Sequence, residues 1–134
     1  MRFHHCILTK TGLLGLMRAL KSEVTKFNIS ISAVAPGITT TPILGVAQGI
    51  ASPEEEARKL RKTGVAVNEP EEIANVVVYL FGEGMKANGK GLLIQAGRVA
   101  NWEAGLAKSR RMWMGIEQLD LLKGKGPRAV SEKL

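Results

Sequence analysis

Two short apolar stretches, Ile29-Ser30-Ile31-Ser32-Ala33-Val34-Ala35 and Leu92-Leu93-Ile94-Gln95, read as the strands of this chain, and the residues between them are largely helical in pattern. Strands joined through a long helical connection pair in parallel, whereas a tight hairpin would pair them antiparallel. The expected fold class is therefore α/β, a layer of parallel strands covered by helices. Two strands are too few to make such a sheet stable alone. The pattern thus reads as part of a fold with strand neighbours missing. An exposed apolar edge is expected along residues 29–35.

The rest of the chain supplies the helices. From Cys6 to Phe27 the residues Ile7, Leu8, Leu13, Leu14, Leu16, Met17, Leu20 and Val24 recur mostly at helical spacing, which gives a helix with one broad apolar face. Gly12 and Gly15 lie inside it at a cost of about 1 kcal/mol each relative to alanine, a hint that another backbone approaches there. After the strand at 29–35, Pro36-Gly37 turns the chain, and Ile38-Thr39-Thr40-Thr41-Pro42 reads as a loop. Ser52, Pro53 and Glu55 announce a charged helix with a capping box, and its Glu54–Glu56 run precedes Arg58, Lys59, Arg61 and Lys62. A further helix starts at Pro70, runs through Phe81 and stops at Gly82. The turn Asn88-Gly89-Lys90-Gly91 then enters the second strand. Residues 98–134 read as an irregular tail with helices near 101–108 and 114–122, loose beyond Lys123.

Composition narrows the setting. A single cysteine excludes an internal disulfide and favours the cytoplasm. No apolar run approaches the ~20 residues that span a bilayer, so no membrane association is expected. The net charge is +7, with 11 basic against 8 acidic residues in 1–97 and 8 against 4 in 98–134. No basic run exceeds Arg110-Arg111 and aromatics do not interleave with the basic residues, so solvated surface is expected and nucleic acid is not. His4 and His5 have no acidic or cysteine partners at ligand spacing, so no metal site is expected. Trp102 and Trp113 read as cover for apolar surface.

Several of these segments carry a family resemblance when taken in order. The helix Thr9-Lys10-Thr11-Gly12-Leu13-Leu14-Gly15-Leu16-Met17-Arg18-Ala19-Leu20, the strand at 29–35 with its Pro36-Gly37 turn, Thr41-Pro42, Glu69-Pro70-Glu71-Glu72-Ile73-Ala74 and Asn88-Gly89-Lys90-Gly91 resemble the C-terminal half of short-chain dehydrogenases/reductases. The likeness covers roughly residues 6–97. It implies that 1–97 are the C-terminal part of a Rossmann-like domain, a doubly wound parallel sheet here lacking its N-terminal strands, with 98–134 as a tail. Trp113-Met114-Gly115 resembles extensions in fungal members related to prostaglandin-type dehydrogenases. The resemblance implies an oxidoreductase that uses NAD or NADP on an alcohol or ketone. In that family a tyrosine hydroxyl exchanges the substrate proton, and a lysine four residues later holds the cofactor ribose and lowers the tyrosine pKa. Lys10 matches the lysine. Pro36 and Gly37 match the turn beside the nicotinamide, and Thr39 and Thr41 match positions that contact its carboxamide and phosphates.

Three departures bear on activity. Cys6 stands at the tyrosine position, and its short side chain does not carry a proton donor as far as a phenol does. Ser32 replaces a frequent asparagine. No glycine-rich strand-to-helix turn, the pyrophosphate cradle of dinucleotide enzymes, occurs ahead of Cys6. The expectation is a truncated family member, impaired or inactive as an isolated chain; an incomplete gene product that starts at an internal methionine is a separate reading. The alternative is a non-catalytic partner that docks on a full-length relative, or on its own copy, through the helix at 6–27.

Overall fold

The computed structural model describes residues 3–46, 49 and 52–124, with side chains described at 8–44, 49 and 52–124. The chain divides into two compact units, Met1–Trp102 and Glu103–Leu134. In the first, helix α1 (Phe3–Thr25) leads to strand β1 (Ala33–Pro36), helices α2 (Pro42–Val46), α3 (Pro53–Lys62) and α4 (Pro70–Glu83), a 3₁₀ turn (Gly84–Ala87), and strands β2 (Gly91–Gln95) and β3 (Arg98–Asn101).

The strands form one sheet in the order β1-β2-β3. β1 and β2 are parallel, with Val34 beside Leu92 and Pro36 beside Ile94, as the long connection between them requires. The sheet is mixed rather than wholly parallel. Residues 98–101, expected as irregular, instead return antiparallel on β2, with Gln95 opposite Arg98 and Leu93 opposite Ala100. Ala96 and Gly97 link the two strands at φ 47° and 71°, the doubly positive φ of a type I′ hairpin turn. β1 pairs with β2 alone and so forms one edge of the sheet.

The first strand is shorter than expected because residues 29–32 spend their polar groups elsewhere. Asn28 takes φ 56° and closes α1, and the Ile29 amide donates back to Val24 O at 3.1 Å. Ile31 N then donates to Asn88 Oδ1 at 3.1 Å, and Ser32 Oγ to Ala87 O at 2.7 Å. The Asn88 amide also donates to Lys21 O at 2.8 Å, which ties the end of α1 to the same turn. Asn88 is the joint between helix and sheet.

α4 lies on the sheet. Val76, Leu92 and Ile94 are its buried centre, with Val34, Ile73 and Leu80 packed around them. The capping box forms on α4, where Glu69 and Glu72 exchange backbone and side-chain contacts. The one expected on α3 does not, because Ser52 Oγ donates to Glu54 Oε2 at 2.6 Å. Gly64, at φ 82°, terminates α3 in a left-handed turn in which Val65 N reaches Leu60 O at 3.0 Å. α1 buries Met17 but leaves Leu8, Leu13 and Leu16 exposed. Among the described residues no helix is long and apolar enough to cross a membrane.

In the second unit the remainder of α5 (Trp102–Lys108) is followed by α6 (Arg110–Met114) and α7 (Ile116–Leu122). The expected helices near 101–108 and 114–122 are present, and α6 is an addition. Gly115, at φ 81°, separates α6 from α7. Trp113 Nε1 donates to Leu106 O at 3.4 Å. The segment expected to be loose lies, beyond Gly124, outside the described residues.

Candidate functional site

β1 ends on Pro36, which has no amide to extend the ladder, and the chain turns away through Gly37. Gly37 N donates to Ile94 O at 2.9 Å. A methyl group on Gly37 would stand 3.3 Å from that same oxygen and 3.5 Å from Asn68 Nδ2, so the backbone passes close to β2 and a larger residue would push it away. The next residues are fixed by short-range and cross-chain bonds. Thr39 Oγ1 donates to Gly37 O at 3.0 Å, and Thr41 Oγ1 to Thr39 O at 3.4 Å. Thr40 N donates to Asn68 O at 3.0 Å, while Asn68 N donates to Ile38 O at 2.8 Å.

This loop forms one wall of a cleft of about 460 Å³ at the C-terminal end of β1. Gly37, Thr39 and Thr41 contribute the polar wall, and Ile43, Leu44 and Leu60 the apolar one. Three of the six residues singled out from the sequence therefore meet on one cleft, with Pro36 immediately before them. Lys10 is exposed on α1 and does not line this cleft. The backbone of Cys6 lies within α1, and its side chain lies outside the described ones.

Both threonine hydroxyls donate to backbone carbonyls, which leaves each oxygen its capacity to accept. α2, the helix beside the cleft, is five residues long and begins on proline, so it offers little of the amide cradle that phosphates need.

A second polar cluster lies outside this cleft. Tyr79, the chain's one tyrosine, accepts from Lys90 Nζ at 3.2 Å, and Lys90 also donates to Glu83 Oε2 at 2.8 Å. Lys90, through its hydrogen bond, holds the Glu83 carboxyl below the usual carboxylate range. The Glu83 bond, and then that of Tyr79, raise the Lys90 ammonium above its ordinary value. Tyr79, Lys90, Asn75 and Val99 line a separate cleft of about 570 Å³ between α4 and the hairpin. Among the described residues no three histidine, cysteine or acidic side chains converge as a metal site.

Sequence reasoning missed Asn68 and Glu56. Asn68 has no exposed surface, and the one signal for it was an amide residue between apolar Val67 and the Glu69-Pro70 helix start. Glu56, on the cleft wall, was hidden in a run of charges that read as solvated surface.

A parallel β1–β2 pair, with a helix on the sheet and a cleft at the strand end, is the arrangement of an α/β layer. Comparison with known proteins makes the class specific. A protein-family model described as enoyl-(acyl carrier protein) reductase matches residues 3–97. A short-chain dehydrogenase/reductase of Penicillium rubens is 33% identical over 131 residues, covering 85% of this chain and 37% of the relative. The 3-oxoacyl-(acyl-carrier-protein) reductase of Aquifex aeolicus is 37% identical over 78 residues, covering 56% of this chain and 29% of the relative. An acetoacetyl-CoA reductase of an Acinetobacter strain is 33% identical over 91 residues, covering 66% and 35%. No solved structure matches. The chain belongs to the short-chain dehydrogenase/reductase family of oxidoreductases, and it spans well under half the length of these curated relatives.

Proposed function

We propose that residues 1–97 are the nicotinamide-facing, C-terminal part of a short-chain dehydrogenase/reductase that interconverts an alcohol and a ketone with NAD or NADP, and that 98–134 are its tail. The observation that carries this reading is the convergence of Gly37, Thr39 and Thr41 on one cleft at the end of β1. The names of two relatives, reductases of 3-oxoacyl and acetoacetyl groups, support a ketone as one of the two substrates. Bound nicotinamide would supply the hydride chemistry. Gly37, Thr39 and Thr41 would hold its carboxamide side, and Lys10 would take the ribose. Proton exchange at the substrate oxygen falls to the position of Cys6, where a thiol is shorter in reach than a phenol. We therefore propose little or no dehydrogenase activity for a polypeptide of these 134 residues alone. We place this polypeptide in the cytoplasm, with neither membrane nor nucleic acid among its partners.

Two measurements test this. Titration with NADH and NADPH, followed by cofactor fluorescence, is expected to show no saturation at micromolar protein, and saturable micromolar binding would overturn the proposed incompetence. Nicotinamide mononucleotide at roughly millimolar concentration is expected to move the amide resonances of Gly37 and Thr39. Unmoved resonances would overturn the cofactor-facing assignment of the loop.

A second reading rests on α1. Its Leu8, Leu13 and Leu16 are exposed, and nothing lies within 4 Å of a methyl group built on Gly12 or Gly15. That face suits a partner helix, so the chain would serve as a non-catalytic docking partner of a full-length relative or of its own copy. Light scattering of the chain with and without a relative decides it, and a lone monomer under both conditions removes this reading.

A further inference from the structure

Asn68 is fully buried, and neither the family chemistry nor the cleft lining gives it a task. Its backbone lies parallel to the loop after β1, bridged to Thr39. It donates to Ile38 O at 2.8 Å and accepts from Thr40 N at 3.0 Å. Any residue could make those two bonds. The side chain makes a third, in which Nδ2 donates to Ile94 O at 3.1 Å. Ile94 O is the same oxygen that receives Gly37 N at 2.9 Å. One carbonyl at the end of β2 therefore anchors the loop directly through Gly37 and indirectly through Asn68. Because a carbonyl can only accept, the amide must present its nitrogen there, which leaves Oδ1 buried without a hydrogen-bond partner among the described residues. A buried, unsatisfied amide oxygen is destabilising, and an apolar side chain would avoid that cost.

We propose that Asn68 is a positioning residue that holds the Pro36–Thr41 loop against the end of β2 in the shape that receives the nicotinamide. The proposal rests on the reading that this loop faces the cofactor. An aspartate would turn an oxygen toward Ile94 O and repel it, and an alanine would leave the loop tied by backbone bonds alone. Asn68 immediately precedes the capped start of α4, at Glu69. Through its backbone and side chain together, Asn68 therefore joins three parts of the first unit: the cleft wall, the central strand and the helix that covers the sheet.

Amide hydrogen exchange on the whole chain tests it. In the wild type, Gly37 and Thr40 are expected to be protected, and exchange as fast as in an exposed loop would overturn the proposal. In Asn68→Ala, protection at Gly37 and Thr40 is expected to fall tenfold or more while Val76 and Leu92 stay within twofold. A parallel fall at all four overturns it. Should Asn68→Ala not fold, Asn68→Asp keeps the volume, removes the donor and reads the same ratio; failure of both to fold would assign Asn68 to stability alone and overturn the positioning role. Affinity for nicotinamide mononucleotide is expected to fall tenfold or more in whichever variant folds. Unchanged affinity overturns the proposal. Absence of any wild-type response instead removes the cofactor reading, and exchange still decides whether Asn68 holds the loop.

Discussion

Ala96 occupies the first position of the β2–β3 turn at φ 47°, a region that costs a residue with a Cβ about 1–2 kcal/mol. Asparagine tolerates it better and is favoured in type I′ turns. Ala96→Asn is expected to raise the unfolding free energy by about 0.5 kcal/mol, as read from denaturant midpoints at constant slope. The Lys90–Glu83 pair makes a pH-dependent contribution of known sign. Glu83 is depressed by the Lys90 bond, so its contribution is present above the unfolded carboxylate pKa of ~4.3 and is lost as pH falls through the folded value. Lys90 is raised by Glu83 and then Tyr79, so its contribution is present below ~10.4 and is lost as pH rises through the folded value. Lys90→Met is expected to lower the melting temperature at neutral pH, and the difference from wild type should shrink toward both extremes in a thermal series.

At the scale of elements, glycines with different surroundings separate packing from propensity. A methyl group on Gly91 would stand 2.4 Å from the Trp102 indole, so the ring lies directly over the start of β2. Gly91→Ala is expected to cost about 1–3 kcal/mol by overpacking, measured by denaturant unfolding. Gly12 and Gly15 have open space around them. Alanine at either is expected to stabilise α1 by about 1 kcal/mol in the isolated chain while weakening any association that needs a close helix approach. Circular dichroism melts and sedimentation read the two effects separately, and a gain in both would deny α1 a close-packed partner. In α4, two glutamates form a capping box around Pro70, although glutamate is outside the usual N-cap set.

For the molecule as a whole, the first unit pairs a small buried centre with uncovered apolar surface. Leu8, Leu13 and Leu16 on α1 are 76%, 61% and 52% exposed, and β1 is an edge strand. Concentration-dependent association is expected in sedimentation velocity, and Leu13→Glu combined with Leu16→Glu should suppress it. The α/β class, the β1–β2 pairing, the α4 helix and the glycine-bounded turn after β1 were legible in the residues alone. Each follows from local rules of periodicity, proline and glycine geometry, and from the length a parallel connection requires. Three features were not legible. β3 depends on Ala96 accepting a positive φ because Arg98–Asn101 gains a strand to pair with. Residues 29–32 read as strand but bond to the turn near Asn88, which comes near them only when the chain closes. The cleft wall depends on Asn68, about thirty residues after the loop it holds and among neighbours that resemble ordinary loop. Sequence thus determined the elements, because their causes act within a few residues. Tertiary structure decided where the remaining hydrogen bonds go, because a buried amide or carbonyl must find whichever partner the closed chain brings within reach.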